Sequence, residues 1–259
     1  MTIGETSLFI SPHFDDVALS CGGTVARQAQ IGRAVVTTVF AGKPTGDLNR
    51  FARFQHDRWG AETDAVAIRR REDSDAMTVL GADYRWLDFP DAIYRDSLYL
   101  TDEDLFGTIK AADVETAIAV GDAIISLVEE IHPRALYLPL SVGGHVDHRM
   151  CQNCAPRIRR ARTAVWFYED FPYCVTAGAV ESRLSELDER LVSETMDVTL
   201  QIDSRIAAVA AYATQVPTIF RHHGPSDQVI RGYSQRIAIP PIVSAERFWR
   251  FQEGSSGGD

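Results

Sequence analysis

Two short segments of this chain concentrate groups able to hold a metal ion and move protons: Pro12-His13-Phe14-Asp15-Asp16 near the start, and His145-Val146-Asp147-His148 much later. Two histidines and an aspartate can bind a divalent cation, leaving a carboxylate and an imidazole for acid–base work, which is the inventory of a metal-dependent hydrolase. His13 and Asp16, three apart on a tight loop, can converge on one cation, and His148 completes a set that leaves positions open for water and substrate. Zinc suits two nitrogens and one carboxylate, although iron(II) or another divalent cation accepts them too. Asp15 projects away from Asp16 and is free to take a proton from attacking water; the alternative is that it caps the following helix. His145 can face a developing oxyanion or protonate a leaving amine, or else act as a fourth ligand.

Such segments must be delivered by strand ends. Ser7–Ile10 reads as a buried parallel strand and Val17–Gln30 as a helix, so the first segment is a strand-to-helix loop, where ligands bind in open α/β sheets. Ala135–Leu140, a glycine-containing loop and a helix from Asp147 repeat the geometry. Further strands are expected over Ala34–Phe40, Tyr84–Asp88 and Thr163–Tyr168, and further helices over Glu62–Leu80 and Val114–Ile131, predicting a Rossmann-like α/β fold with a mostly parallel sheet flanked by helices. Two long segments with little periodicity, Lys43–Gly60 and Phe89–Asp113, are placed to roof a pocket. A C-terminal α+β extension, with a strand over Thr195–Ile202 and a helix over Arg205–Thr214, is expected to complete the sheet edge and wall that pocket. Residues 1–253 read as one domain and 254–259 as a disordered tail.

The two motifs resemble those of the LmbE-like or PIG-L de-N-acetylases, and the resemblance continues through Arg69-Arg70-Arg71-Glu72 and Leu87-Asp88-Phe89-Pro90-Asp91, over residues 6–170. It implies that His13, Asp16 and His148 are the metal ligands, that Asp15 is the general base, and that Asp147 pairs with His145, raising its pKa and fixing its tautomer. It also implies that Arg69 reaches the sugar, although Arg69 and Glu72 could equally form a surface helical pair. Asp91 and Asp96 are candidates for sugar hydroxyls, because ionised carboxylates accept two hydrogen bonds. Some family members carry a tyrosine two positions before the residue matching His145; here Gly143 stands there. The implied activity is zinc-dependent removal of an N-acetyl or related acyl group from an amino sugar of the N-acetylglucosaminyl type, in a small glycoside or natural product. One alternative is an amidase for a thiol-bearing pseudodisaccharide or its conjugate. Another is a non-catalytic sugar- or metal-binding module, whose signature would be loss of Asp15 or a ligand; none is lost.

Composition narrows the field. A formal charge of −10 over 259 residues argues against nucleic acid as partner. Arg157, Arg159, Arg160 and Arg162 cluster, but read as a solvated helix end. Neither a basic-apolar leader nor a run of roughly 18 apolar residues is present, so no membrane span is expected and the cytosol is the simplest location. Four cysteines give no disulfide framework, which fits a reducing compartment, and Cys151 and Cys154 read as small thiols packed on one helix face. Cys21-Gly22-Gly23 is not the phosphate-binding G-x-G-x-x-G of a nucleotide fold and reads as close helix packing; no G-x-S-x-G is present either. Homo-oligomerisation stays open.

Overall fold

Short apolar runs rich in β-branched residues form the centre of a single sheet, in a computed structural model that describes residues 5–61, 64–158 and 163–252. Its strands are β1 (Thr6–Ser11), β2 (Arg33–Thr38), β3 (Asp83–Trp86), β4 (Ala135–Pro139), β5 (Ala164–Tyr168), β6 (Leu191–Asp197) and β7 (Ala245–Phe251), in the spatial order β3-β2-β1-β4-β5-β7-β6. The first five are mutually parallel, and β7 and β6 close the edge in antiparallel fashion. The long helices are α1 (Asp16–Ile31), α2 (Arg50–Arg58), α3 (Ala65–Leu80) and α4 (Val114–Ile131). After these come α5 (Val146–Gln152), α6 (Ala179–Ser185), α7 (Ile202–Ala210) and α8 (Ser226–Ile237).

β1 and β4 are neighbours, yet the chain leaves them in opposite directions: from β1 to β2 on one side and from β4 to β5 on the other. Their carboxyl ends therefore flank the topological switch point, where an open α/β sheet forms a crevice. Register places Phe9 opposite Tyr137, whose rings stack at 4.3 Å, so the loops that follow emerge side by side. This juxtaposition of the two motifs is the fold's contribution to the site.

Helix α1 breaks at Cys21 (φ −146°, ψ 28°), and Glu246 of β7 takes the released amides: Gly23 N–H at 2.9 Å and Thr24 N–H at 2.7 Å. Arg205 of α7, fully buried, pairs with Glu246 at 3.2 Å and stacks over Phe171. A Cβ on Gly23 would lie 2.9 Å from both Glu246 Oε1 and Val198 Cβ, so close packing is the reason for this glycine, as expected. The C-terminal extension is thereby anchored to the helix that carries Asp16.

That extension departs from the sequence expectation in detail. The edge strand is Leu191–Asp197 rather than Thr195–Ile202, and the helix is Ile202–Ala210 rather than Arg205–Thr214. Three of the labelled elements, α6, α8 and β7, have no counterpart in the sequence expectation. Arg157 pairs with Asp122 on the surface, whereas Arg159, Arg160, Arg162 and the tail at 254–259 lie outside the described residues. No helix among the described residues is long and apolar enough to cross a membrane.

Candidate active site

The β1 loop turns sharply enough for Asp16 to accept a hydrogen bond from the His13 backbone N–H at 2.7 Å, which folds the carboxylate back over the loop. Asp16 Oδ2 then lies 3.2 Å from His13 Nδ1 and 3.3 Å from His148 Nε2. The β4 loop supplies His148 from the first turn of α5 and His145 from its N-cap, and one ring nitrogen from each of His13, His145 and His148 lies within 4.8 Å of the others. All of these side chains are buried at the floor of a pocket of about 390 Å³.

Two of the imidazoles have a carboxylate behind them. His13 Nε2 is 3.0 Å from Asp147 Oδ2, and His148 Nδ1 is 2.6 Å from Asp170 Oδ1. Burial works against charge on both rings, but Asp91, Asp147 and Asp16 outweigh it at His13, which is held well above its ordinary value. At His148, Asp16 and Asp170 likewise outweigh burial and push it up to about 10. The floor thus traps positive charge, and carboxylate–histidine pairs of this kind orient metal ligands. The chemistry of these donors, two backed imidazoles sharing one carboxylate, fits a divalent cation. A second cluster, His13, Asp91 and Asp147, is also compact, but Arg95 already pairs with Asp147 and neutralises it.

His145 differs, and the expected pairing with Asp147 is not formed. The Asp147 carboxylate is fully buried and turned towards His13, Arg95 and the Ala92 N–H. What reaches His145 is the Asp147 backbone N–H, donated to Nδ1 at 3.2 Å. That contact places the ring proton on Nε2. Burial and the neighbouring His13 push His145 well below its ordinary pKa, opposite to the expected direction, so at neutral pH it is a neutral donor and not an imidazolium. A ring whose back nitrogen meets a donor also lacks the support typical of a ligand.

Asp15 occupies the N-cap position of α1 but makes no side-chain capping bond, so its carboxylate remains available to the pocket. Burial raises its pKa, against the pull of the Arg69 guanidinium 3.7 Å away. Arg69 is no surface residue: it lies between the rings of Phe14 and Trp59, at 5.2 and 4.8 Å. Glu72 does not pair with it, binding Thr214 instead. The distances from Arg69 to Asp15 and Asp91, 3.7 and 3.8 Å, exceed hydrogen-bond length, so the terminal guanidinium nitrogens keep donors for a ligand.

Asp91 lines the pocket, capping a short turn by accepting from Ile93 N–H at 3.2 Å, whereas Asp96 does not belong to the site. Asp96 is exposed, with a left-handed φ of 49°, and its backbone carbonyl accepts from Asn49. Arg95 points inward in its stead, pairing with Asp113 at 2.9 Å as well as with Asp147. Arg95 and Asp170 were missed from sequence. Asp170 had a usable signal, since it follows the carboxyl end of β5 next to β4. Both long segments do contribute walls, through Trp59 and Phe106, and the C-terminal extension adds Ile219 and His222.

Residues 8–158 match the family described as PIG-L, GlcNAc-PI de-N-acetylase. A 2'-N-acetylparomamine deacetylase of Niallia circulans is 32% identical over 184 residues, spanning 64% of this chain and 66% of that protein. The Streptomyces fradiae protein of the same name is 31% identical, over 81% of this chain and 73% of its own length. Among solved structures, the zinc-inhibited form of teicoplanin deacetylase superposes with a TM-score of 0.84 at 27% identity, covering 97% of this chain and 99% of that one.

Proposed function

The chain belongs to the PIG-L, or GlcNAc-PI de-N-acetylase, family, and from that membership we propose that it hydrolyses the N-acetyl amide of a glucosamine-type sugar within a small glycoside or glycosylated natural product. The observation that carries this reading is the convergence of Asp16 on His13 and His148 with Asp15 uncommitted beside them. His13, Asp16 and His148 would hold the cation, assigned here as zinc. When bound, a cation in this position lowers the pKa of a water and polarises the acyl group.

The protein's own residues account for the proton movements. Asp15, with its raised pKa, takes the proton of the attacking water and is then a strong enough acid to return it to the departing amine. His145, neutral and protonated on Nε2, donates a hydrogen bond towards the acyl oxygen and does not act as the general acid. Asp147 and Asp170 set the orientation of His13 and His148. Arg69 and Asp91 offer a donor and an acceptor to the sugar hydroxyls from one wall. The one sheet running from β1 to β7 supports reading residues 1–253 as a single catalytic domain, and four buried, unpaired cysteines support a reducing compartment such as the cytosol.

The test is incubation of zinc-loaded protein with N-acetylated amino sugars, glycosides and thiol-sugar amides, following free amine by mass. Release from glucosamine-type acetamides is expected; release from thiol-sugar amides alone would move the substrate assignment, and release from none would overturn the reading.

A further inference from the structure

The β5 loop brings a second group to the site besides Asp170. Gly143 adopts φ +88°, and a Cβ there would lie 2.8 Å from Cγ and 3.0 Å from Cδ1 of Tyr173. Only glycine satisfies both the backbone conformation and this approach. The two loops are fastened at the same place, since Val142 N–H donates to Asp170 Oδ2 at 2.8 Å. The Tyr173 ring is therefore seated on the backbone of the loop that carries His145.

Its other side is fixed as well. Phe106 meets Tyr173 edge-on at 5.7 Å and meets His145 edge-on at 5.4 Å, so one aromatic side chain braces both. Tyr173 lines the pocket that holds His13, Asp15 and His148, and its hydroxyl makes no hydrogen bond to any described residue. A phenol whose ring is held on two sides, and which has no hydrogen-bond partner among the described residues, is an uncommitted donor on the wall of this pocket.

Resting on the deacetylase reading, we propose that Tyr173 is a catalytic residue, donating a hydrogen bond from its hydroxyl to the acyl oxygen as that oxygen gains negative charge. In the step it serves, the water oxygen bonds to the acyl carbon and the carbonyl π pair moves onto oxygen. The proton lost by water goes to Asp15; the oxyanion pair then re-forms the C=O bond as the C–N bond breaks, and the C–N pair takes that proton on nitrogen, so the amine leaves neutral and Asp15 is again a carboxylate. Tyr173 keeps its own proton throughout. Burial, with Asp16 and Asp15 nearby, pushes the phenol above its ordinary pKa, which holds it in the donor form. A donor aimed at the oxyanion is worth about 100-fold in rate.

Tyr173→Phe preserves the ring and its seat on Gly143 and removes only the donor. Its kcat is expected to fall about 100-fold with KM and metal content nearly unchanged. Affinity for a phosphonate mimic of the tetrahedral state should fall by a similar factor, while affinity for the product amine stays the same. An active wild type with a Tyr173→Phe variant of equal kcat and equal phosphonate affinity overturns this assignment alone. A wild type that releases no amine overturns the deacetylase reading and the assignment with it.

Discussion

Asp147 Oδ2 lies 3.0 Å from His13 Nε2, and this contact decides how the second motif works. The carboxylate reaches across from the β4 loop to the β1 loop instead of supporting its own neighbour His145. Arg95 and the Ala92 N–H hold it there, and Arg95 above all keeps it ionised against the cost of burial. The two motifs are thus joined before any cation binds.

Removing that support should loosen the metal site. Asp147→Ala is expected to lower metal affinity by roughly 10- to 100-fold while leaving all three proposed ligands in place. Competition with a chromogenic chelator measures it; affinity equal to wild type would show that His13 needs no such partner.

Metal loading should release protons. Nearby carboxylates raise both His13 and His148 above the ordinary imidazole value, His148 to about 10, so a cation loading metal-free protein must displace protons from these rings. The sign follows: affinity rises with pH through this range, by roughly 100-fold per unit for about two protons. Titrating zinc into metal-free protein in weak buffer with a pH indicator gives the count directly. Release near zero would mean that the rings are neutral before loading.

The anchor between α1 and β7 should carry a measurable share of stability. Glu246→Ala leaves Arg205 charged and buried and frees two amides of α1, at a cost of about 3–5 kcal/mol in chemical denaturation. Replacing both partners by apolar residues should cost much less. Equal losses in the single and double variants would assign the effect to packing and not to charge.

What could be read in advance follows from where the information lies. β1, β2 and β4 are buried on both faces, so Leu8-Phe9-Ile10, Val35-Val36 and Leu136-Tyr137-Leu138 declare themselves as uninterrupted apolar runs. β6 lies at the sheet edge with three of its seven residues exposed and none buried, and β7 includes a buried Glu246 whose partner Arg205 is distant in sequence, so neither shows a clean period. The grouping of histidines and carboxylates was legible because those residues are contiguous in two motifs. Asp170, Arg95 and Tyr173 were not, because each depends on which loops the sheet order brings together. Asp96 is exposed with a left-handed backbone, which nothing in its type or spacing announces.

The central claim is that Asp15 moves the proton at a metal site it does not itself hold. The direct measurement is amine release from an N-acetylated glucosamine glycoside by zinc-loaded wild type and Asp15→Asn, with metal content determined on the same samples. Equal metal content and a fall in turnover of about two orders of magnitude or more are expected in the variant. Turnover near the wild-type rate with metal retained would contradict it.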